Sequence, residues 1–404
     1  MLSDEYINNL INIIAIRQEN LSNDVIEMIA KRIKEIGELS PEDVRKIQLL
    51  FEMGEDIRII NKKIADLADI QVRDIKNLIK VVATDSYMDA KPLYDYRFKK
   101  FVPLTQNEKL RNLMSVVAED MCNKYKELAS SNATGFLIRD LANPQQLKFQ
   151  SISDTYRSVI DEAVSAVNNR SINYETAIKR TVKQLADSGI RRLYWDSGYT
   201  QRLDTAVRRN ITDGVSAFNQ ALQDAIGEQI GADGKEISVH INSALDHEPV
   251  QGHAFTNEEY NKLQSAEPSE DINGVQFDSI ERAITTLNCR HFARSIIVDN
   301  YKPRYTQKQL DEYIRRNHEG YTTQDGKHLT MYECTQYQRR LETKIRYAKD
   351  NQMAFQASGN MNEARRYRSL VMKYISQYKA FSKACGLRTK MNRTTVPNYR
   401  AIKV

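Results

Sequence analysis

The stretch that decides the fold runs from Leu203 to Ile226, LDTAVRRNITDGVSAFNQALQDAI. Its apolar residues Leu203, Val207, Ile211, Val215, Phe218, Leu222 and Ile226 step by four or three positions, the spacing that aligns one face of an α-helix. Arg202, Arg208 and Arg209 lie off that stripe. The spacing therefore predicts a long central helix whose apolar face is core.

Toward the amino terminus the same periodicity returns. Ile7, Leu10 and Ile14, then Val25, Ile29, Ile33 and Ile36, recur at helical steps. Ser40-Pro41-Glu42-Asp43 reads as a helix start: a capping serine, a proline in the first turn, and acids near the positive end of the dipole. Between residues 41 and 82 the pattern predicts three short helices, broken near Gly54 and near Asp69-Ile70-Gln71. This outline is superficially that of a helix-turn-helix. Residues 55–82 carry no set of Arg, Asn and Gln arranged to read base edges, so a helical packing module is expected instead. Residues 92–104, PLYDYRFKKFVPL, mix aromatics, cations and two prolines and read as an extended connector. Helical periodicity resumes over 105–129. Ser171 or Asn173 then caps a helix running to about Asp187, closed by Gly189 in the left-handed conformation glycine tolerates best.

Toward the carboxyl terminus, Gly231-Ala232-Asp233-Gly234 changes the period to two. Ile237, Val239 and Ile241 alternate with polar residues, which predicts a half-buried strand, and His291–Val298 is a second candidate. A polar loop region between them holds Pro249, Gly252, Pro268 and Gly274. Residues 330–356 and 361–385 read as two helices joined by Ser358-Gly359-Asn360, the second ending at Gly386. The expected fold is mainly α. Its parts are an N-terminal helical module (1–91), a connector (92–104), a central helical domain (105–234), a small α+β unit (235–303) and a basic helical hairpin with tail (304–404).

The chain has 404 residues, 41% of them apolar and 28% charged, ordinary values for a folded protein. Acidic residues stand in MLSDEYINNL where a secretory signal would be basic, and the early apolar run Leu10–Ile16 is far shorter than a membrane span requires, so neither export nor membrane insertion is expected. Four cysteines without a Cys-x-x-Cys pair point to a reducing compartment. The net charge of +6 is unevenly spread. Residues 301–404 hold 22 Lys and Arg against 8 Asp and Glu, a surplus of +14, and the first three hundred residues carry the balance, −8. Such asymmetry points to an attached anion-binding region.

The cations of that region fall on both arms of the hairpin. Arg339, Arg340, Lys344, Arg346 and Lys349 are on the first, and Arg365, Arg366, Arg368, Lys373, Lys379 and Lys383 are on the second. Tyr332, Tyr337, Tyr347, Tyr367, Tyr374 and Tyr378 are interleaved with them. Phosphate neutralisation with stacking aromatics uses this composition. A solvated hairpin whose tyrosines pack between the arms uses it equally, and an acidic protein partner is a third option.

His247, His253, Cys289 and His291 are of the types zinc prefers, in two close pairs. Their spacing matches no standard finger or ribbon, so the reading preferred from sequence is a hydrogen-bonded cluster closing the loop, with no metal and no cofactor. Catalysis by Cys289 with His247 or His253 as base is the weakest reading, because nothing local marks a helix start that would lower the thiol pKa. No P-loop, dinucleotide fingerprint, Gly-x-Ser-x-Gly or His-Glu-x-x-His is present, and the chain is expected not to be an enzyme.

Three stretches together resemble the phage minor capsid protein 2 family, relatives of the Mu F-like head morphogenesis proteins. The first is Tyr194-Trp195-Asp196-Ser197-Gly198 with the following Leu203-Asp204-Thr205-Ala206-Val207-Arg208-Arg209-Asn210 and Gly214-Val215. The second is Asp246-His247-Glu248-Pro249-Val250-Gln251-Gly252-His253-Ala254-Phe255, and the third is Asn288-Cys289-Arg290-His291. The run Tyr337–Arg346 and the ending near Phe381 to Gly386 also fit, and the resemblance spans about residues 30 to 404. It departs where family members commonly carry an Arg-Pro pair before the loop histidine, since Ala244-Leu245-Asp246 stands there. His247, Gly252, His253, Cys289, Arg290 and His291 would then be a structural motif. The resemblance implies a minor component of the phage head, made in the host cytoplasm. It would lie inside the virion beside the portal or major capsid protein and act in head assembly, with the basic tail toward packaged DNA.

Overall fold

The computed structural model describes residues 4–38, 49–130, 133–139, 146–169, 174–194, 199–264, 271–272, 275–276, 284, 289 and 291–403. Four helices form the body: α1 (Asp4–Gly37), α2 (Leu49–Asp89), α4 (Glu108–Leu128) and α7 (Leu203–Ile230), with the short α3 (Lys91–Tyr96) between α2 and α4. The stripe anticipated on α7 is buried along its length, from Leu203 to Ile226, and burial continues to Ile230. It meets Ile11, Ile14, Val25, Ile29 and Ile33 of α1, Ile75, Leu78 and Val82 of α2, and Met121 and Tyr125 of α4 in one apolar cluster. The mainly α class is borne out.

The three short helices expected between 41 and 82 are one continuous helix from residue 49 onward. The expected break at Asp69-Ile70-Gln71 is absent because the buried stripe runs through Gln71. That side chain is buried and donates to the Ile14 carbonyl at 2.9 Å, so a polar residue occupies a core position with its amide nitrogen satisfied. Gly54 has no heavy atom near its notional Cβ, and its helix penalty, about 1 kcal/mol relative to alanine, is too small to break so long an element. The start expected at Ser40-Pro41 lies outside the described residues. So do Ser171 and Asn173, although the helix they would cap is there as α6 (Tyr174–Ser188), and Gly189 takes φ +58° after it.

The stretch 92–104 is less extended than its prolines suggest, since α3 occupies its first part. Phe101 stacks on Tyr87 at 4.5 Å between ring centroids and meets Tyr94 edge-on at 5.3 Å, tying this segment to the body.

Four strands escaped the sequence pattern: β1 (Thr134–Arg139), β2 (Leu147–Ser151), β3 (Arg191–Tyr194) and β4 (Tyr199–Arg202). They form an antiparallel sheet in the order β2-β1-β3-β4, with α5 (Ile152–Asn169) and α6 between β2 and β3 in the chain. β4 runs directly into α7, so the sheet positions the start of the central helix.

The small α+β unit carries β5 (Gly234–Ile237) flanked by β6 (Ala254–Thr256) and, across β5, by β9 (Ala293–Ile296), all antiparallel. The helix α8 (Asn257–Gln264) follows β6, and β7 (Asp271–Ile272) pairs with β8 (Val275–Gln276). β5 stops at Ile237 rather than reaching Ile241, which is 55% exposed. The His240 backbone N–H donates to the Gln251 side-chain Oε1 at 3.0 Å, and Gly252 N–H donates to the Ile237 backbone carbonyl at 2.9 Å, so the loop returning to β6 replaces a continued ladder. β9 is likewise shorter than His291–Val298. The buried Ser295 hydroxyl donates to the Gln223 carbonyl of α7 at 2.6 Å, and the buried Arg294 guanidinium reaches Asp89 of α2 and Glu236 of β5, each at 3.0 Å. Together they lock the unit to the body.

Last come α9 (Gln307–Glu319), the ribbon β10 (Tyr321–Thr322) and β11 (His328–Leu329), and the anticipated hairpin, α10 (Met331–Ala357) with α11 (Met361–Ala384). Thr330 and Glu333 form a reciprocal capping box at the start of α10, Asn360 caps α11, and Gly359 and Gly386 take positive φ at the two ends of α11. Phe355 and Tyr367 stack at 5.6 Å and join the apolar cluster of the body, so the hairpin base is part of the main core.

Candidate functional site

The hairpin sorts its cations by direction. Arg340, Lys344, Arg365, Arg366, Lys373, Lys379 and Lys383 are exposed, whereas Arg339, Arg346, Lys349 and Arg368 are partly covered. Of the exposed set, Arg366 pairs with Glu363 at 3.1 Å, and Lys344 lies 6.0 Å from the centroid of the Tyr374 ring. Arg340, Arg365, Lys373, Lys379 and Lys383 enter no ion pair among the described residues. Tyr367 and Tyr378 are buried between or beneath the arms and are unavailable for stacking on a base, while Tyr337 is exposed beside Phe381.

Of the covered cations, Arg346 serves the seam between hairpin and body. Arg346 lies 3.0 Å from Asp204 at the start of α7 and 3.5 Å from Glu19 of α1. Arg202, the last residue of β4, reaches Asp350 of α10 at 3.1 Å. Burial pushes the Glu19 carboxyl up to about 7; Arg346 opposes this, and the neighbouring Asp350 and Asp204 add to it. Burial likewise raises Asp350, with Arg202 only partly offsetting it. Burial acts in the same direction on Asp204, but Arg346 and Arg202 outweigh it and hold that carboxyl below its ordinary value. Lys349 donates to the Thr394 carbonyl at 2.6 Å and sits over the Tyr399 ring, and burial lowers its pKa. By sequence Arg346 and Lys349 are candidate nucleic-acid- or partner-binding cations; in the structure Arg346 meets Asp204 and Glu19, and Lys349 meets Thr394. The available signal for Asp204 was a carboxylate in register with the apolar stripe, beside Leu203 and Val207.

Three of the four candidate ligands in the small unit come together. Cys289 Sγ lies 3.4 Å from His247 Nδ1 and 3.3 Å from His291 Nδ1, and all three side chains are buried. His247 Nε2 faces Asp246 at 3.5 Å, and His291 Nε2 faces the Gln251 carbonyl oxygen at 3.4 Å. The ring of His240 packs edge-on against that of His291 at 4.7 Å. His253 stands apart: burial lowers its pKa, with Asp311 pulling the other way, and its carbonyl accepts from Ile237 N–H. Gly252 takes φ +76° and lies so close to Leu310 of α9 that a Cβ would come within 2.5 Å of its Cδ2. Arg290 lies outside the described residues. The pairing of Cys289 and His291 was legible in their spacing, whereas the contributions of Asp246 and Gln251 were not.

Among the described residues no helix is long and apolar enough to cross a membrane. The chain belongs to the phage minor capsid protein 2 family, whose profile matches residues 2–383, nearly the whole chain. The match reaches further toward the amino terminus than the motif resemblance, taking in all of α1. The chain is thereby a structural component of a phage head. No curated protein and no solved structure matches it.

Proposed function

We propose that this chain is a non-enzymatic assembly component inside the phage head, beside the portal or major capsid protein. In this reading its acidic front three-quarters dock on protein, and the outer face of the α10–α11 hairpin meets packaged DNA. The observation that carries the proposal is the division of the hairpin cations: Arg346 is committed to the internal seam, while Arg340, Arg365, Lys373, Lys379 and Lys383 face outward without an ion-pair partner among the described residues. Unpaired, solvated cations on a rigid support suit phosphate contacts that are indifferent to sequence. The exposed Met372 beside Lys373 favours a second reading, in which the same face takes an acidic protein surface with an apolar centre.

The test uses the full chain. Binding to duplexes of unrelated sequence should be similar and should weaken steeply with salt, the slope of log K against log salt being about −0.9 per phosphate neutralised. Charge reversal at Lys373, Lys379 and Lys383 should weaken binding and flatten the slope. Absent or salt-insensitive binding redirects the face to a protein partner.

A further inference from the structure

The geometry points to a zinc site in the small α+β unit, with His247 Nδ1, Cys289 Sγ and His291 Nδ1 as its protein ligands. Their ligand atoms all lie within 4.8 Å of one another. Tetrahedral zinc, with about 2.3 Å to sulfur and about 2.0–2.1 Å to nitrogen, sets sulfur and nitrogen roughly 3.5 Å apart, close to the two separations found here. One thiolate with imidazoles is a donor set that selects zinc over magnesium or calcium.

The outer nitrogens carry the argument further. In both histidines Nδ1 turns toward Cys289, and Nε2 faces an oxygen acceptor, the Asp246 carboxylate in one and the Gln251 amide carbonyl in the other. An Nε2–H donated outward leaves the Nδ1 lone pair directed inward, the arrangement by which carboxylates and carbonyls orient metal-bound histidines. A hydrogen-bonded cluster alone requires no such agreement between two rings. A Cys289-His247-Asp246 catalytic relay leaves His291 unexplained and puts its nucleophile at a residue only 5% exposed.

The ion's role would be that of a clasp. Its ligands bracket the loop between β5 and β6 and the entry to β9, in a unit whose own buried apolar cluster, among the described residues, is small, built on Ile237, Val250, Phe255 and Tyr260 with three others. Metal binding adds folding free energy where the core supplies little. Binding displaces the Cys289 thiol proton to solvent, and water completes the tetrahedron.

The full-length protein, purified without chelator, should carry about one zinc per chain by elemental analysis. After zinc removal, cobalt(II) should give a thiolate-to-cobalt charge-transfer band with the visible bands of tetrahedral coordination. C289S should abolish the charge-transfer band, and H291A should release the metal. Q251L, which leaves all three ligands in place, should weaken affinity about 10- to 100-fold. A wild-type chain that is folded by circular dichroism yet retains no zinc and gives no cobalt band would overturn the assignment, as would metal retained undiminished in both C289S and H291A.

Discussion

Arg346 and Asp204, 142 positions apart in the chain, meet at 3.0 Å and fasten the C-terminal hairpin to the first turn of the central helix. Asp204 shares the start of α7 with the incoming Arg202, and Asp350 lies one turn beyond Arg346 on α10, so two guanidinium-carboxylate pairs cross the same seam.

Truncating one partner strands the other in a dry site. Arg346→Met should cost about 3–5 kcal/mol, because the buried Asp204 and Glu19 would lose their nearest cation and keep only the more distant Arg202, which is shared with Asp350. Lys373→Met, on the exposed face, should stay within about 0.5 kcal/mol of the parent. Urea midpoints of the two variants measure the contrast, and equal midpoints would remove the seam's structural role.

Glu19 sets a pH dependence of unusual sign. Its carboxyl is raised from an ordinary 4.5 to about 7 in the folded chain, so folding favours the protonated form. This contribution is complete below pH 4.5, is lost progressively as pH rises toward 7, and is constant above that. The urea midpoint of the parent should therefore decline through this window more than that of Glu19→Gln. Identical profiles would place the titration elsewhere.

Tyr378 is fully buried, donates to Glu342 at 3.0 Å and accepts from Lys390 N–H at 2.7 Å. Tyr378→Phe keeps the ring and leaves both partners short of a bond, so it should cost about 1–3 kcal/mol. Hydrogen exchange should show the Lys390 amide losing protection.

Gly252→Ala combines a positive φ with a collision against Leu310, whereas Gly326, at φ +81°, has open space around it. The first substitution should lower the melting temperature clearly more than Gly326→Ala, which carries backbone strain alone, of order 1 kcal/mol. Comparable losses would show that the contact with α9 yields freely.

The long helices were legible because each repeats one local rule many times. The Leu203–Ile226 stripe and the paired spans 330–356 and 361–385 reappear with nearly the same bounds. The sheet β2-β1-β3-β4 was not legible. Its strands are four to six residues long, too short for alternation to stand out, and β1 is held by hydrogen bonds to partners as distant as Arg191 and Arg192. Gln71 misled for a related reason: a polar residue at a core position reads as a break until the Ile14 carbonyl that accepts its amide is known.

By itself, the sequence determined the helical class, the hairpin with its glycine stops, the charge asymmetry and the motifs that resemble the family, all properties carried by neighbours within a few residues. Tertiary structure alone decided which cations face solvent and which are consumed in the seam, and that His247, Cys289 and His291 converge while His253 does not. A side chain's charge is written in the chain, but its direction depends on packing between residues dozens to hundreds of positions apart, where burial and Coulomb attraction act on distance in space.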